Sequence, residues 1–127
     1  MTQPGRTIVV VEDSSDCAET LQIALETMQG IDIRIMQSAQ AALDFLTRTD
    51  ASVAAVVTDL QMPRMNGMDL LARLKSDPEL RHIPVLVISG DSDPRLPARS
   101  LSFGAHAYFT KPYSPMQVRH TLEQLLR

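Results

Sequence analysis

Short apolar runs alternate along this chain with longer segments in which apolar residues recur three or four positions apart. Five runs have the length and composition of strands: residues 8–11, 31–35, 53–58, 85–89 and 107–110. Apolar runs of about four to eight residues between turn signals are typical of strands buried in a parallel sheet. The second run differs, because Ile31, Ile33 and Ile35 alternate with polar residues. This alternation predicts an edge strand with one exposed face.

A helix is predicted after each strand. The approximate bounds of these helices are residues 14–28, 38–49, 66–76, 94–103 and 114–126. In the first helix, apolar residues spaced three or four positions apart form one stripe that should be buried: Ala18, Leu21, Leu25 and Met28. The fourth helix should be short and should begin near Leu96 or Pro97, because proline is tolerated only in the first turn of a helix.

Polar residues that can cap a helix lie at or near the start of the first three of these segments. Ser38 is expected to cap the second helix, and Asn66 is expected to open the third. For the first helix, Ser15 or Asp16 is the predicted cap, and Asp16 with Glu19 would form a capping box.

Five consecutive strand–helix units predict an α/β fold with a doubly wound parallel sheet, helices on both faces and right-handed crossovers. The length of 127 residues is close to the usual size of one domain. We therefore assign residues 1–127 to a single domain with a core at about residues 7–126, and we expect no output domain in this chain.

Composition and charge narrow the classes of function. A hydrophobic content of 44% and a charged content of 21% are ordinary for a soluble globular protein. The net charge of −3 gives no reason to expect nucleic-acid binding, which needs clustered Lys and Arg. Cys17 is the single cysteine, which fits a reducing compartment, and no apolar stretch approaches the roughly 20 residues of a membrane span. We expect a cytoplasmic protein without a signal peptide that binds neither membranes nor nucleic acids.

Chemically reactive side chains lie at the ends of four strands. Glu12 and Asp13 follow the first strand, Asp59 the third, Ser89 the fourth and Lys111 the fifth. Open α/β sheets build their sites at the carboxyl ends of their strands. Three carboxylates, one hydroxyl and one ammonium should therefore converge at one edge of the sheet.

This set of groups predicts a site for a divalent cation and a phosphoryl group. Crowded carboxylates disfavour ionisation, and Mg²⁺, which prefers hard oxygen ligands, resolves that conflict. Asp59 is the candidate nucleophile, because a carboxylate can attack phosphorus and form an aspartyl phosphate. The backbone carbonyl of Gln61 is available to complete the metal shell. Ser89 and Lys111 would each take one oxygen of the transferring phosphoryl group. Pro112, directly after Lys111, suggests a cis peptide bond.

Together these motifs resemble the receiver domain of two-component response regulators over about residues 7–126. In family order and spacing, the matching motifs are the acid pair after the first strand, Asp59-x-x-Met62-Pro63-x-Met65-Asn66-Gly67, Ser89-Gly90 and Tyr108-x-x-Lys111-Pro112. The resemblance implies a flavodoxin-like fold with strand order 2-1-3-4-5. It also implies a signalling module that catalyses only its own phosphorylation and dephosphorylation, not an enzyme with an external substrate.

The resemblance further implies a role for each site residue. Asp59 accepts a phosphoryl group from a histidine kinase or a histidine phosphotransfer protein. Asp13 binds Mg²⁺ directly, and Glu12, which replaces the commoner Asp, binds it through water. Ser89 and Tyr108 form a switch pair that responds to the new charge. The signal would pass to a downstream protein through the surface of the fourth helix, the fifth strand and the fifth helix.

Three alternatives fit the sequence less well. A phosphatase of the haloacid-dehalogenase type needs a second acid two residues after the nucleophile, where Gln61 stands. A flavodoxin-like flavin protein needs a phosphate cradle after the first strand, where Glu12 and Asp13 would repel a phosphate. A receiver-shaped scaffold without phosphate chemistry would not need the full set of site residues. The sequence leaves open a free single-domain messenger, a relay intermediate and a part of a larger protein.

One further expectation concerns the first helix. Cys17 and Thr20 flank its buried stripe and should lie on the rim where the helical bundle of a kinase docks, although ordinary partial burial would explain them equally well.

Overall fold

The computed structural model describes residues 6–49 and 52–126. Within these residues, strands and helices alternate as predicted. Their bounds are β1 Arg6–Val11, α1 Ser15–Leu25, β2 Ile31–Met36, α2 Ala39–Arg48, β3 Ser52–Asp59, α3 Gly67–Ser76, β4 Val85–Ser89, α4 Leu96–Ser102, β5 Ala107–Thr110 and α5 Pro115–Leu125. None of the helices in the described part of the chain is both long and apolar enough to span a membrane.

The five strands form one parallel sheet in the order β2-β1-β3-β4-β5. This confirms the flavodoxin-like topology that the family resemblance implied. β2 lies at one edge, where Ile31, Ile33 and Ile35 are half-buried while Asp32 and Arg34 are exposed. Because all strands run in the same direction, their carboxyl ends meet at one edge of the sheet.

Side chains of the sheet alternate between two hydrophobic clusters. Val9 and Val11 of β1 belong to the first cluster, and Ile8 and Val10 belong to the second, as expected for a strand whose successive side chains point to opposite faces. Residues of α2 and α3 pack in the first cluster, and residues of α1 and α5 pack in the second: Ala42, Leu46, Leu70, Leu71 and Leu74, then Leu21, Leu25, Val118 and Leu122. Helices therefore cover both faces of the sheet.

The predicted cap of the first helix is wrong. The N-cap of α1 is Ser14, whose hydroxyl accepts a hydrogen bond from the backbone N–H of Cys17 at 3.5 Å. Ser14 itself donates its backbone N–H to the carboxylate of Glu12 at 3.1 Å. This bond orders the chain immediately before the helix, so that Ser15 is the first helical residue. Asp16 consequently lies inside the first turn and is not the cap.

The ends of other helices follow the sequence more closely. Ser38 and Asn66 are the N-caps of α2 and α3, as predicted. α4 begins at Leu96, with proline in its first turn, also as predicted. α1 ends at Leu25, and Met28 therefore lies beyond the helix, although its side chain still packs against the second cluster.

Candidate functional site

The carboxyl ends of β1 and β3 bring three carboxylates together. The two strands pair so that Val11 lies opposite Thr58, and the next residues along each strand are Glu12 and Asp59. One carboxylate oxygen from each of Glu12, Asp13 and Asp59 lies within 4.8 Å of the others. Glu12 and Asp59 are buried, with 5% and 4% exposure, while Asp13 is exposed. The cluster is therefore open to solvent on the side of Asp13.

Lys111 lies between the two buried acids. Its ammonium Nζ is 2.7 Å from Asp59 Oδ2 and 3.2 Å from Glu12 Oε2. The backbone fixes this position, because the N–H of Lys111 donates to the carbonyl of Ser89 at 2.8 Å. The Lys111–Pro112 peptide bond is cis, as predicted. One ammonium faces three carboxylates, and negative charge therefore remains in excess.

Burial and charge shift the protonation equilibria of this cluster. Burial raises the pKa of Glu12, and the nearby Asp59 raises it further, whereas the N–H of Ser14 and the Lys111 ammonium lower it. Burial by itself would lower the pKa of Lys111. Hydrogen bonds and attraction to Asp59 and Glu12 outweigh that effect, and the pKa of Lys111 is raised overall. Lys111 is therefore a permanent cation at physiological pH.

The loop after β3 turns back tightly towards Asp59. Asp59 Oδ1 accepts a hydrogen bond from the backbone N–H of Gln61 at 3.1 Å. The N–H of Gly67 then donates to the carbonyl of Leu60 at 3.0 Å. A Cβ at position 67 would lie 2.3 Å from the carbonyl oxygen of Asp59, a distance that real Cβ atoms do not reach. Glycine at this position therefore allows the loop to close against the end of β3.

Ser89, at the end of β4, is fully buried. Its hydroxyl donates to the side-chain oxygen Oε1 of Gln61 at 2.8 Å and accepts from the N–H of Asp91 at 3.0 Å. From the sequence, only the backbone carbonyl of Gln61 was predicted to take part in the site, and this hydrogen bond to its side chain was not predicted. No sequence signal indicates it, because the direction of a loop side chain depends on tertiary contacts.

Within the described residues, the Tyr108 side chain forms no hydrogen bond with the carboxylate cluster. It lies opposite Val87 in the pairing of β4 and β5. Its ring packs against the first hydrophobic cluster, and its hydroxyl is buried without a hydrogen-bond partner within the described part of the chain.

A groove of about 570 Å³ adjoins the cluster between α1 and the loop that follows β5. Cys17 and Thr20 line this groove, in keeping with the rim position expected from the sequence, and Lys111 joins the groove to the acidic cluster. The other lining residues are Asp16, Gly90, Pro112, Tyr113 and Pro115.

The donor set of the acidic cluster fits a hard divalent cation. All three side chains offer oxygen, two of them are buried, and a single ammonium offsets their charge. Mg²⁺ binds through one or two carboxylates and keeps several waters, which the exposed side of the cluster allows.

Comparison with known proteins gives a family match over nearly the whole chain. The family model described as the response regulator receiver domain matches residues 8–123. The chemotaxis protein CheY1 of Helicobacter pylori is 28% identical over 119 residues, covering 94% of this chain and 95% of that protein. The two-component response regulator ORR7 of Oryza sativa subsp. japonica is 29% identical over 119 residues, covering 94% of this chain. The chain spans 56% of the length of this second relative.

Solved structures give the same result for the fold. The signal receiver domain of a signal transduction histidine kinase from Syntrophus aciditrophicus has a TM-score of 0.83 and 36% identity, covering 94% of this chain and 89% of that one. A phosphorylated cyanobacterial phytochrome response regulator, RcpA, has a TM-score of 0.82 and 24% identity, covering 95% and 91%, which shows a shared fold. The family match, together with the strand order and the acidic cluster, shows that this chain belongs to the response regulator receiver domain family.

Proposed function

We propose that this chain is a phosphoacceptor signalling module in which Asp59 receives a phosphoryl group from a histidine kinase or a histidine phosphotransfer protein. The position of Asp59 supports this best. Its carboxylate lies at the carboxyl end of β3, with one oxygen on the Lys111 ammonium and the other on the N–H of Gln61. Both contacts hold the carboxylate in one orientation beside a solvent-open cluster, which favours attack on an incoming group.

The transfer exchanges one bond to phosphorus for another. A carboxylate oxygen of Asp59 bonds to phosphorus, while the bond between phosphorus and the histidine nitrogen of the donor breaks and its electron pair returns to that nitrogen. Lys111 and the Ser89 hydroxyl each pair with one oxygen of the phosphoryl group. The Lys111 ammonium is held beside Asp59 before the reaction, so its positive charge is in place when the phosphoryl group arrives.

In this proposal Mg²⁺ is held by Glu12, Asp13, Asp59 and the backbone carbonyl of Gln61. When bound, the ion supplies positive charge that offsets the carboxylates and the phosphoryl oxygens. Support comes from the carboxylate oxygens that lie within 4.8 Å of one another and from the excess of negative charge over the one ammonium.

The output of the module is a protein contact on the surface of α4, β5 and α5. Ser89 and Tyr108 form the switch pair that links this surface to Asp59. Large apolar side chains are exposed on two of these elements or beside them, namely Leu101, Phe103 and Met116. Exposed apolar groups of this kind favour contact with a partner protein. We further propose a cytoplasmic location, since a single cysteine suits a reducing compartment.

Mass spectrometry tests the phosphoacceptor. Incubation with acetyl phosphate and Mg²⁺ should add the mass of one phosphoryl group, and chelation of the metal should prevent the gain. Asp59→Asn should abolish the gain, because an amide is a poor nucleophile towards phosphorus.

Asp32→Asn is the matched control, because Asp32 is an exposed acid on the edge strand β2. This control should be labelled as well as the wild type. Labelling that persists in Asp59→Asn would refute the assignment of Asp59.

A further inference from the structure

The Ser89 hydroxyl is fully engaged before any phosphoryl group arrives. A serine hydroxyl has one proton to donate and lone pairs to accept with. Its proton is directed to Gln61 Oε1 at 2.8 Å, and the N–H of Asp91 donates to its oxygen at 3.0 Å. The proton that the proposed function assigns to a phosphoryl oxygen is therefore already shared with Gln61.

Gln61 is well placed to control this proton. Its backbone N–H is bonded to Asp59 and its side chain is bonded to Ser89, so one residue contacts both groups at the ends of β3 and β4. The Gln61 side chain is itself exposed, whereas Ser89 has no exposed surface. The bond can therefore break by rotation of Gln61 into solvent, without movement of the backbone.

We propose that Gln61 is a positioning residue. In the unphosphorylated state its side chain holds the Ser89 hydroxyl by a hydrogen bond, and this bond opposes the formation of a hydrogen bond from Ser89 to the phosphoryl group. This inference rests on the proposed function of Asp59 and Ser89. Binding of a phosphoryl group must exchange the Ser89–Gln61 bond for a Ser89–phosphoryl bond. The strength of the Gln61 bond thus reduces the net affinity of the site for a phosphoryl group, and position 61 tunes the balance between the two states.

The affinity for beryllofluoride, a mimic of the phosphoryl group, tests this proposal. Binding can be followed by fluorine NMR at saturating Mg²⁺. Gln61→Ala removes the acceptor of the Ser89 proton and keeps the backbone carbonyl assigned to the metal. A neutral hydrogen bond has a modest net strength, and we therefore expect Gln61→Ala to bind beryllofluoride about 2- to 10-fold more tightly than the wild type. Gln61→Glu, which retains an acceptor, should not bind more tightly than the wild type.

A double-mutant cycle separates this effect from a general change in the site. In a Ser89→Ala background the proton is absent, so Gln61→Ala should leave the affinity unchanged. Gln124→Ala, at an exposed residue in the last turn of α5, is the matched control and should equal the wild type. Unchanged or weaker binding by Gln61→Ala, or an equal gain in both backgrounds, would overturn the proposal.

The same titration distinguishes this inference from the proposed function. If the wild type binds no beryllofluoride, or if Asp59→Asn binds it as well as the wild type, the proposed function fails and the role of Gln61 fails with it. If the wild type binds through Asp59 and Gln61→Ala is indistinguishable from it, only the role of Gln61 is wrong.

Discussion

At the scale of single residues, the tight contact between Gly67 and Asp59 fixes the loop that surrounds the proposed phosphoacceptor. The carbonyl of Asp59 lies where any larger side chain at position 67 would place its Cβ. The backbone conformation at this residue is ordinary, so the requirement for glycine comes from close approach and not from backbone strain. A larger residue would have to move the end of β3 itself.

Gly67→Ala should therefore destabilise the protein. The added methyl group meets backbone atoms at 2.3 and 2.9 Å, and we expect a loss of about 1–3 kcal/mol in the free energy of unfolding, as for other overpacked sites. Urea unfolding measures the change.

Gly90→Ala is the matched control for this substitution. Its Cβ would meet only the Lys111 side chain, at 3.7 Å, which is an ordinary contact. We expect a change of no more than about 0.5 kcal/mol. Equal losses in the two variants would contradict the argument from close approach.

The convergence of residues at the strand ends could be predicted from the sequence. The hydrogen-bond partner of a loop side chain could not. Glu12, Asp13, Asp59 and Lys111 converge because parallel strands end at one edge, which an apolar pattern reveals. The bond from Ser89 to Gln61 depends on the path of a loop, which no pattern encodes.

At the scale of elements, Lys75 joins the end of α3 to the chain that leads into β4. Its ammonium donates to the carbonyl of Ile83 at 2.7 Å and to that of Arg81 at 3.0 Å. Its stem covers Gly104, where an added Cβ would lie 2.9 Å from Lys75 Cγ. Partial burial lowers the pKa of Lys75. One side chain thus satisfies two carbonyls and packs against the turn after α4.

Lys75→Met should weaken this junction. Methionine keeps an apolar stem but leaves two carbonyls without their donor, and we expect a loss of about 1–3 kcal/mol in the free energy of unfolding. Arg73→Met removes an exposed cation from the same helix and should change stability by no more than about 0.5 kcal/mol. Thermal or urea unfolding of both variants measures the difference, and similar losses would show that charge alone is responsible.

The helix bounds show what local sequence does and does not determine. Ser38 and Asn66 were predicted correctly, because each is the capping residue that directly precedes an amphipathic segment. At the beginning of α1 several residues that could cap the helix follow one another. The hydrogen bond from the Ser14 N–H to the Glu12 carboxylate determines where the helix begins. Local propensity cannot decide between neighbouring caps when a residue of the preceding strand end makes the deciding contact.

At the scale of the whole molecule, the acidic cluster links stability to the proposed metal. Repulsion among three carboxylates opposes folding, and a bound cation relieves it. At a Mg²⁺ concentration of about 100 times the dissociation constant, binding should raise the free energy of unfolding by about 2.7 kcal/mol. Urea unfolding with MgCl₂, against NaCl at equal ionic strength, measures this gain, and Asp13→Asn should reduce it.

Lys111→Ala gives the complementary result in the same assay. Without metal, its removal leaves two buried carboxylates without their counter-ion, and stability should fall. With Mg²⁺ the gain should equal or exceed that of the wild type, because the ammonium no longer competes for Asp59 and Glu12. A loss of the Mg²⁺ effect in Lys111→Ala would show that the lysine helps to bind the metal.

The Lys111 side chain links the edge strand β5 directly to the proposed phosphoacceptor. β5 is an edge strand and is separated from β3 by β4, yet the Lys111 side chain reaches past that intervening strand to Asp59 and to Glu12 beside β1. In the proposed function, a phosphoryl group on Asp59 would change the contact between Asp59 and the Lys111 ammonium. That change would reach β5 directly through one side chain, in addition to the route through the switch pair of Ser89 and Tyr108.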